Sequence, residues 1–217
     1  MRIESISLKN FKGFRNAEMT DIPPFCVVIG ANGSGKSTLF DVFGFLRDCL
    51  KNDVSRALQA RGGFNQVVSR GAGKKDCIEF EIKFRMPIAN KERLVTYGIQ
   101  IGLNGNKPVI RREILKYKRG RYGSPYRFLD FSNGEGYAIT NEEDFDKPDE
   151  DLDREYQQVE SHSLAIKGLG QFARFKAASA FRQLIENWHV SDFHINLARG
   201  VKDAFGESEH LSVTGEN

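Results

Sequence analysis

The pattern of apolar and polar residues predicts three strands in the first thirty residues. Ile3, Ile6 and Leu8 stand among polar residues, which indicates a half-buried strand. A second strand is predicted over residues 17–22, and two prolines end it. Residues 25–29 are a short apolar run rich in β-branched residues, which is typical of a buried strand.

A period of two returns after residue 77 and predicts an antiparallel meander. Apolar residues alternate with charged ones over residues 78–84, and the pattern repeats over residues 94–103 and 109–117. The Asn-Gly pair within residues 104–108 is a hairpin signal. Because the apolar residues alternate with polar ones, we expect one face of this sheet to be solvated.

Apolar residues spaced by three and four predict two helices. The first begins near residue 36, and its apolar face packs on the core rather than binding a ligand. That face consists of Leu39, Val42, Phe43, Leu46 and Leu50. The second helix is predicted over residues 171–187, followed by a strand over residues 188–193.

Composition and charge restrict the class of protein. The 217 residues are enough for one large or two small domains, and the net charge of +3 gives no sign of a polyanionic partner. Cys26, Cys49 and Cys77 are far apart, which favours reduced, packed thiols in a cytoplasmic protein over disulfides or a zinc site. We see no signal peptide and no apolar run of about 20 residues, so no membrane partner is expected.

The residues between the third strand and the first helix match the phosphate-binding pattern G-x-x-x-x-G-K-[ST]. They are Gly30, Ala31, Asn32, Gly33, Ser34, Gly35, Lys36, Ser37 and Thr38. Strand, glycine loop and helix is the order that phosphate binding needs. A Gly-rich turn that matches by chance is the alternative.

Each residue type in this loop has a physical role. The three glycines allow turns in which successive N–H groups point at an anion, and the helix adds its positive N-terminal dipole. Lys36 is the candidate catalytic residue and would reach the β- and γ-phosphates. The Ser37 hydroxyl would bind Mg²⁺, and the hydroxyl and N–H of Thr38 would serve the α-phosphate.

Three other segments allow both a structural and a functional interpretation. The Gly-rich residues 51–75 are a surface loop or a second phosphate contact. The basic and aromatic residues 111–127 are a solvated hairpin or a contact to nucleic-acid backbone. The acidic residues 142–155 lack the pattern of a calcium loop and indicate a mobile loop. His189 and His194 are five apart and do not make the i, i+4 zinc pair.

Two stretches together resemble the N-terminus of an ABC-type ATPase head of the RecF/SMC group. They are residues 2–14, which contain Asn10-Phe11-Lys12-Gly13-Phe14, and residues 28–37, which have asparagine at position 32. Within this group the chain resembles bacterial AAA-family predicted ATPases related to the overcoming-lysogenization-defect proteins. The resemblance implies that Lys12 lies beside the nucleotide, while a solvated turn lysine is the alternative.

The resemblance also implies a fold and its divisions. The fold expected is α/β, a P-loop NTPase of ABC-head type, N-terminal part, with an antiparallel β-subdomain and a partial helical lobe. Residues 1–217 would be the N-terminal half of one head. Within it we expect a P-loop core at 1–60, the β-subdomain at 61–140, an acidic loop at 141–160 and a helical segment with a strand at 161–217.

A hydrolytic ATPase of this kind needs parts that the sequence does not show. One is an apolar strand ending in Asp, followed by Glu, and another is a signature segment that caps the partner's γ-phosphate. Residues 211–216 resemble that signature, but their glycine comes one position late. We therefore expect a fragment that binds ATP and Mg²⁺ without turning ATP over. The glutamine that senses the γ-phosphate is left open between Gln66 and Gln100.

The function implied by the resemblance is a homodimer of heads that couples ATP binding and hydrolysis to DNA-related work. Repair, chromosome handling and phage defence are the expected settings. The alternatives are a regulatory nucleotide-sensing module that recruits a nuclease partner and an ABC transporter ATPase subunit. A P-loop kinase is disfavoured because two strands precede the loop.

Overall fold

The computed structural model describes residues 2–73, 75–88, 91–120, 124–142, 144 and 147–188, which build one antiparallel sheet with helices packed on it. The strands are β1 (Arg2–Phe11), β2 (Phe14–Met19), β3 (Ile78–Ile88), β4 (Lys91–Asn104), β5 (Lys107–Tyr117), β6 (Tyr126–Ser132), β7 (Glu135–Ile139) and β8 (Arg154–Gln158). The helices are α1 (Lys36–Lys51), α2 (Val54–Gln59), α3 (Phe64–Val67), α4 (Ala165–Leu169) and α5 (Lys176–Glu186), with a 3₁₀ turn at Asp149–Asp151.

The predicted meander is confirmed and extends further than expected. The order of strands in the sheet is β2-β1-β3-β4-β5-β6-β7-β8, and every neighbouring pair is antiparallel. Asn104 pairs with Lys107 across the predicted Asn-Gly hairpin turn. At the other end β1 pairs with β3, with Ile6 opposite Ile82. The sheet therefore takes strands from both sides of the divisions expected at residues 60 and 140.

The core lies between this sheet and the helices, and phenylalanine rings fill much of it. Phe11 of β1 packs edge-on against Phe80 of β3 at 5.1 Å between ring centroids, and Phe45 of α1 lies 5.8 Å from both rings. Further along the sheet, Phe181 of α5 stacks on Phe84 of β3 at 4.8 Å. Burying each such ring is worth about 1.5–3 kcal/mol. The Phe-rich sequence thus holds both α1 and α5 on the sheet.

Helix α1 confirms the helix predicted after residue 36. Its buried residues are Val42, Gly44, Phe45, Leu46, Cys49 and Leu50, while Leu39 and Phe43 are half-buried against the core. The ring of Phe43 lies edge-on to Trp188 at 5.0 Å, and Arg47 donates to the Trp188 carbonyl at 3.1 Å. None of the helices in the described ranges is long and apolar enough to cross a membrane.

Several predicted boundaries are wrong, and the structure gives the reasons. β2 begins at Phe14 instead of residue 17, because a tight turn pairs Phe14 directly with Phe11. α5 spans residues 176–186 instead of 171–187, because residues 170–175 form turns. The expected surface loop at 51–75 contains α2 and α3, and the expected acidic loop contains β8. The strand predicted over residues 188–193 falls mostly outside the described residues.

Two buried glutamates fix the positions of α4 and α5. Glu113 of β5 accepts hydrogen bonds from the Tyr97 hydroxyl (3.1 Å) and from the N–H groups of Ala165 (2.6 Å) and Ile166 (3.3 Å) at the start of α4. Burial raises the pKa of the Glu113 carboxyl to about 7, although these hydrogen bonds lower it. The same arrangement recurs at α5, where Glu142 accepts from the Tyr117 hydroxyl and the Ala177 N–H.

Candidate nucleotide-binding site

The glycine loop lies on the surface and leads directly into α1. Gly33 and Gly35 have φ values of +81° and +96°, a left-handed conformation that disfavours any side chain. Gly35 is also the residue that caps α1. A Cβ at Gly35 would lie 2.9 Å from the ring of Phe14, so this aromatic side chain of β2 packs closely against the end of the loop.

Gly30 is needed for a different reason from the other two glycines. It does not have a positive φ, but a Cβ at this position would lie 2.7 Å from the Ser34 hydroxyl oxygen. The expectation that all three glycines allow special turns is therefore confirmed only for Gly33 and Gly35. At Gly30 the requirement is a close approach of the loop to itself.

Lys36 closes the loop from the helix side. Its ammonium group donates to the carbonyls of Gly30 (2.7 Å) and Ala31 (2.8 Å) and lies 3.4 Å from the Ser34 hydroxyl. The positive charge is thus held at the inner rim of the loop. A phosphate entering the loop would meet this ammonium and would replace the carbonyl oxygens as its partners.

The start of α1 has backbone N–H groups that no helical hydrogen bond uses. The first helical hydrogen bond runs from the Leu39 N–H to the Gly35 carbonyl at 2.9 Å, so the N–H groups of Ser37 and Thr38 precede it. No acidic residue occupies the first turn. The residues therefore fit a polyphosphate, with the Ser37 hydroxyl available to Mg²⁺. No cluster of three or more His, Cys, Asp or Glu side chains forms a metal site in the described part of the chain.

The prediction of a buried strand before the loop is wrong. Residues 25–29 pair with no strand among the described residues, and Phe25, Val27 and Ile29 are 82%, 67% and 87% exposed. The alternate residues Cys26 and Val28 line an apolar cavity of about 430 Å³. The physical reason is the topology, because β1 already pairs with β2 and β3 and offers no free edge to this segment.

Lys12 lies beside α1 and belongs to an ion-pair chain that the sequence did not reveal. Its ammonium is 2.5 Å from Asp41 Oδ2, and Asp41 is also held by the guanidinium of Arg61 at 2.9 Å. Arg61 continues to Asp48 at 2.8 Å. Although burial opposes it, the two cations hold the pKa of Asp41 below its usual range. Arg61 lies in a stretch expected to be a surface loop, so only its place beside two glycines could have drawn attention to it.

The other candidate residues lie in elements outside the loop, and several of them are engaged in pairs there. Gln66 lies in α3, and Gln100 lies in β4 with its amide 3.4 Å from Glu79. In the basic segment, Arg112 and Arg127 both pair with Asp130. These pairs support the interpretation as a neutralised hairpin, as does the pair of the buried Arg119 with the partly exposed Asp149 of the acidic run. His189, His194 and residues 211–216 fall outside the described residues.

Comparison with known proteins assigns the sequence of this chain to a family. The family model for the AAA ATPase domain matches residues 1–172. The chain is 31% identical over 120 residues to the chromosome partition protein Smc of Methanococcus voltae, covering 52% of this chain and 10% of Smc. It is 30% identical over 118 residues to the DNA replication and repair protein RecF of Renibacterium salmoninarum, covering 53% of this chain and 27% of RecF.

A solved structure of an SMC ATPase, studied for ATP-driven dimerization and DNA-stimulated activation, matches with a TM-score of 0.36 and 22% identity. The match covers 57% of this chain and 73% of that one. The chain spans between about a tenth and about a quarter of the length of the curated relatives described above. The family match covers most of the chain, including β1, the glycine loop and α1. The chain therefore belongs to the AAA ATPase domain family.

Proposed function

We propose that this chain binds ATP with Mg²⁺ through the loop of residues 30–38. The observation that carries the proposal is the position of Lys36, whose ammonium lies against the loop carbonyls at the N-terminus of α1. Gly30, Asn32, Gly33, Ser34 and Gly35 surround the phosphates, and Ser37 and Thr38 contact Mg²⁺ and the α-phosphate. Lys12 lies beside the nucleotide on the side of the β1–β2 turn.

The larger proposal is that the chain is the N-terminal part of a RecF/SMC-like ATPase head. The segment at residues 25–29 supports it, because a continuous apolar run that pairs with no described strand is suited to a strand buried on both faces in the middle of a sheet. Further strands from the rest of the head would cover Phe25, Val27 and Ile29. The same part would bring the acidic centre and the signature segment.

The proposed work of the complete protein is DNA-related, with two heads closing on ATP. The likeness to a chromosome partition protein and to a replication and repair protein supports this setting. Repair, chromosome handling and phage defence, with or without a nuclease partner, all remain within the proposal. Hydrolysis by this chain alone should stay near background, and a robust turnover would contradict the division of the active site.

Removal of the Lys36 ammonium tests the site directly. In Lys36→Ala, binding of a fluorescent ATP analogue with Mg²⁺ should be lost, because the charge that meets the phosphates is gone. Lys51→Ala is the matched control, since Lys51 is an exposed lysine at the other end of the same helix. Equal affinity of Lys36→Ala and the wild-type chain would overturn the site.

A further inference from the structure

The turn between β1 and β2 lies against the beginning of α1. Phe14 packs on Gly35, and Lys12 in the same turn has a φ of +49° and donates its N–H to the Val67 carbonyl at 2.6 Å. The Lys12 ammonium lies 2.5 Å from Asp41 Oδ2. Asp41 is four residues after Ser37, so the two side chains share one helix face about 5–6 Å apart. The Lys12 charge therefore lies about one helical turn from the start of the phosphate loop helix.

Arg61 holds the same carboxylate from the opposite side. Its Nε and Nη2 groups donate to Asp41 Oδ1 at 3.0 and 2.9 Å, and Nε also lies 3.2 Å from Oδ2. Its Nη1 donates to the Ala57 carbonyl and to Asp48, and its guanidinium lies 5.2 Å from the centre of the Phe45 ring. With only 12% of its side chain exposed, Arg61 is fixed at every nitrogen and cannot swing into the loop.

Because Arg61 shares the Asp41 carboxylate with Lys12, it affects how much of the Lys12 charge reaches the loop. One carboxylate lies between two cations, so it does not neutralise Lys12 completely. Asp48, the other partner of Arg61, is seven residues further along α1 and about 10 Å further from the loop. Without Arg61, Asp41 and Lys12 would form a closed neutral pair, and the positive potential at the start of α1 would fall.

We propose that Arg61 is a positioning residue of the nucleotide site. By holding Asp41 it fixes Lys12 next to the phosphates and leaves the charge of Lys12 available to them. The proposal rests on the proposed function, because it needs a nucleotide in the loop of residues 30–38. It goes beyond that function because Arg61 itself has no contact with the nucleotide.

A double-mutant cycle on nucleotide affinity tests this proposal. The affinity of a fluorescent ATP analogue with Mg²⁺ is measured for the wild-type chain, Lys12→Met, Arg61→Met and the double variant. Each single change should weaken binding by about five- to tenfold, the effect of one charge-assisted contact. The double variant should be no weaker than Lys12→Met, because Arg61 acts only through Lys12. An equal further loss in the double variant would assign Arg61 a merely structural role and overturn the proposal.

A second variant keeps the test decisive if Arg61→Met does not fold. Asp41→Asn retains an oxygen for Arg61 but removes the charge that anchors Lys12. Although Lys12 is then no longer partly neutralised, its ammonium is free to move into solvent away from the phosphates, so binding should weaken by about fivefold. Unchanged or tighter binding by Asp41→Asn would overturn the proposal. Arg56→Met is the matched control, an exposed arginine in α2 that pairs with Asp53 and should bind like the wild-type chain.

The two proposals fail in distinguishable ways. If the wild-type chain does not bind the analogue, both proposals are wrong. If Lys36→Ala abolishes binding while the cycle of Lys12 and Arg61 is additive, the loop is the nucleotide site and Arg61 does not position it.

Discussion

The body of the sheet and the segment that leads into the glycine loop of residues 30–38 differ in how well their side chains are buried and paired. In the body, Phe181 stacks on Phe84, and the buried glutamates Glu113 and Glu142 accept hydrogen bonds from tyrosines and helix starts. Before the loop, residues 25–29 pair with none of the described strands, and Phe25, Val27 and Ile29 are largely exposed. The loop is therefore held by β2 and α1 and not by a strand of its own.

Cysteine reactivity should show the largest contrast between the two regions. Cys26 is exposed before the loop, while Cys49 is fully buried in α1 and burial raises the pKa of its thiol well above the usual value. A thiol reagent should modify Cys26 at least about a thousand times faster than Cys49, which reacts only after unfolding. Mass spectrometry of peptides over time measures both rates, and Cys26→Ser should remove the fast phase. Similar rates at the two cysteines would contradict the difference in burial between the two regions.

Matched phenylalanine substitutions should differ in the same direction. Phe181→Ala removes a fully buried ring and should lower the free energy of unfolding by about 3–5 kcal/mol. Phe25→Ala changes a mostly exposed ring and should alter it by less than about 0.5 kcal/mol. Urea unfolding of both variants measures the difference. A large loss in Phe25→Ala would mean that residues 25–29 are packed in solution.

Glu113 predicts a pH dependence that belongs to the body alone. Its pKa is raised from 4.5 to about 7, so the folded state binds the proton more tightly than the unfolded state. Its contribution to stability is therefore complete below about pH 4.5 and is lost as the pH rises through about 7. Each unit of pKa difference is worth about 1.4 kcal/mol, so the loss is at most about 3.5 kcal/mol.

The control for this pH dependence is Glu113→Gln, which cannot titrate. As the pH rises from 4.5 to 7, the free energy of unfolding of the wild-type chain should fall relative to that of this variant. The difference between the two should stay constant above about pH 8. Tyr97, Cys49 and the N–H groups of α4 are the groups that face Glu113, and none of the side chains among them titrates in this range. A difference that is flat from pH 4.5 to 8 would contradict the raised pKa.

The parts of the fold that the sequence predicted are those set by local pattern. The strict alternation over residues 78–84 was enough for β3, and the spacing of Val42, Leu46 and Leu50 was enough for α1. The glycine loop that leads into α1 also followed from its motif, while its binding of phosphate stays a prediction. β8 was missed because Arg154–Gln158 is mostly polar and exposed, so its sequence carries no apolar alternation that would predict a strand.

The parts that the sequence did not predict depend on distant residues. The apolar pattern of residues 25–29 is suited to a buried strand, but burial needs neighbours that the described residues do not supply. The bond between Lys12 and Asp41 joins residues 29 positions apart, and Arg61 reaches Asp41 from a stretch with no periodic pattern. Such contacts leave no trace in local spacing.

Hydrogen exchange with and without Mg²⁺ and ATP tests most directly whether this exposed loop is the nucleotide site. The amides of residues 30–38 should exchange fast in the free chain and become protected when ATP is added, while those of β3–β5 should be protected throughout. In Lys36→Ala the loop should gain no protection. Absence of protection in the wild-type loop at saturating ATP, or equal protection in Lys36→Ala, would contradict the account.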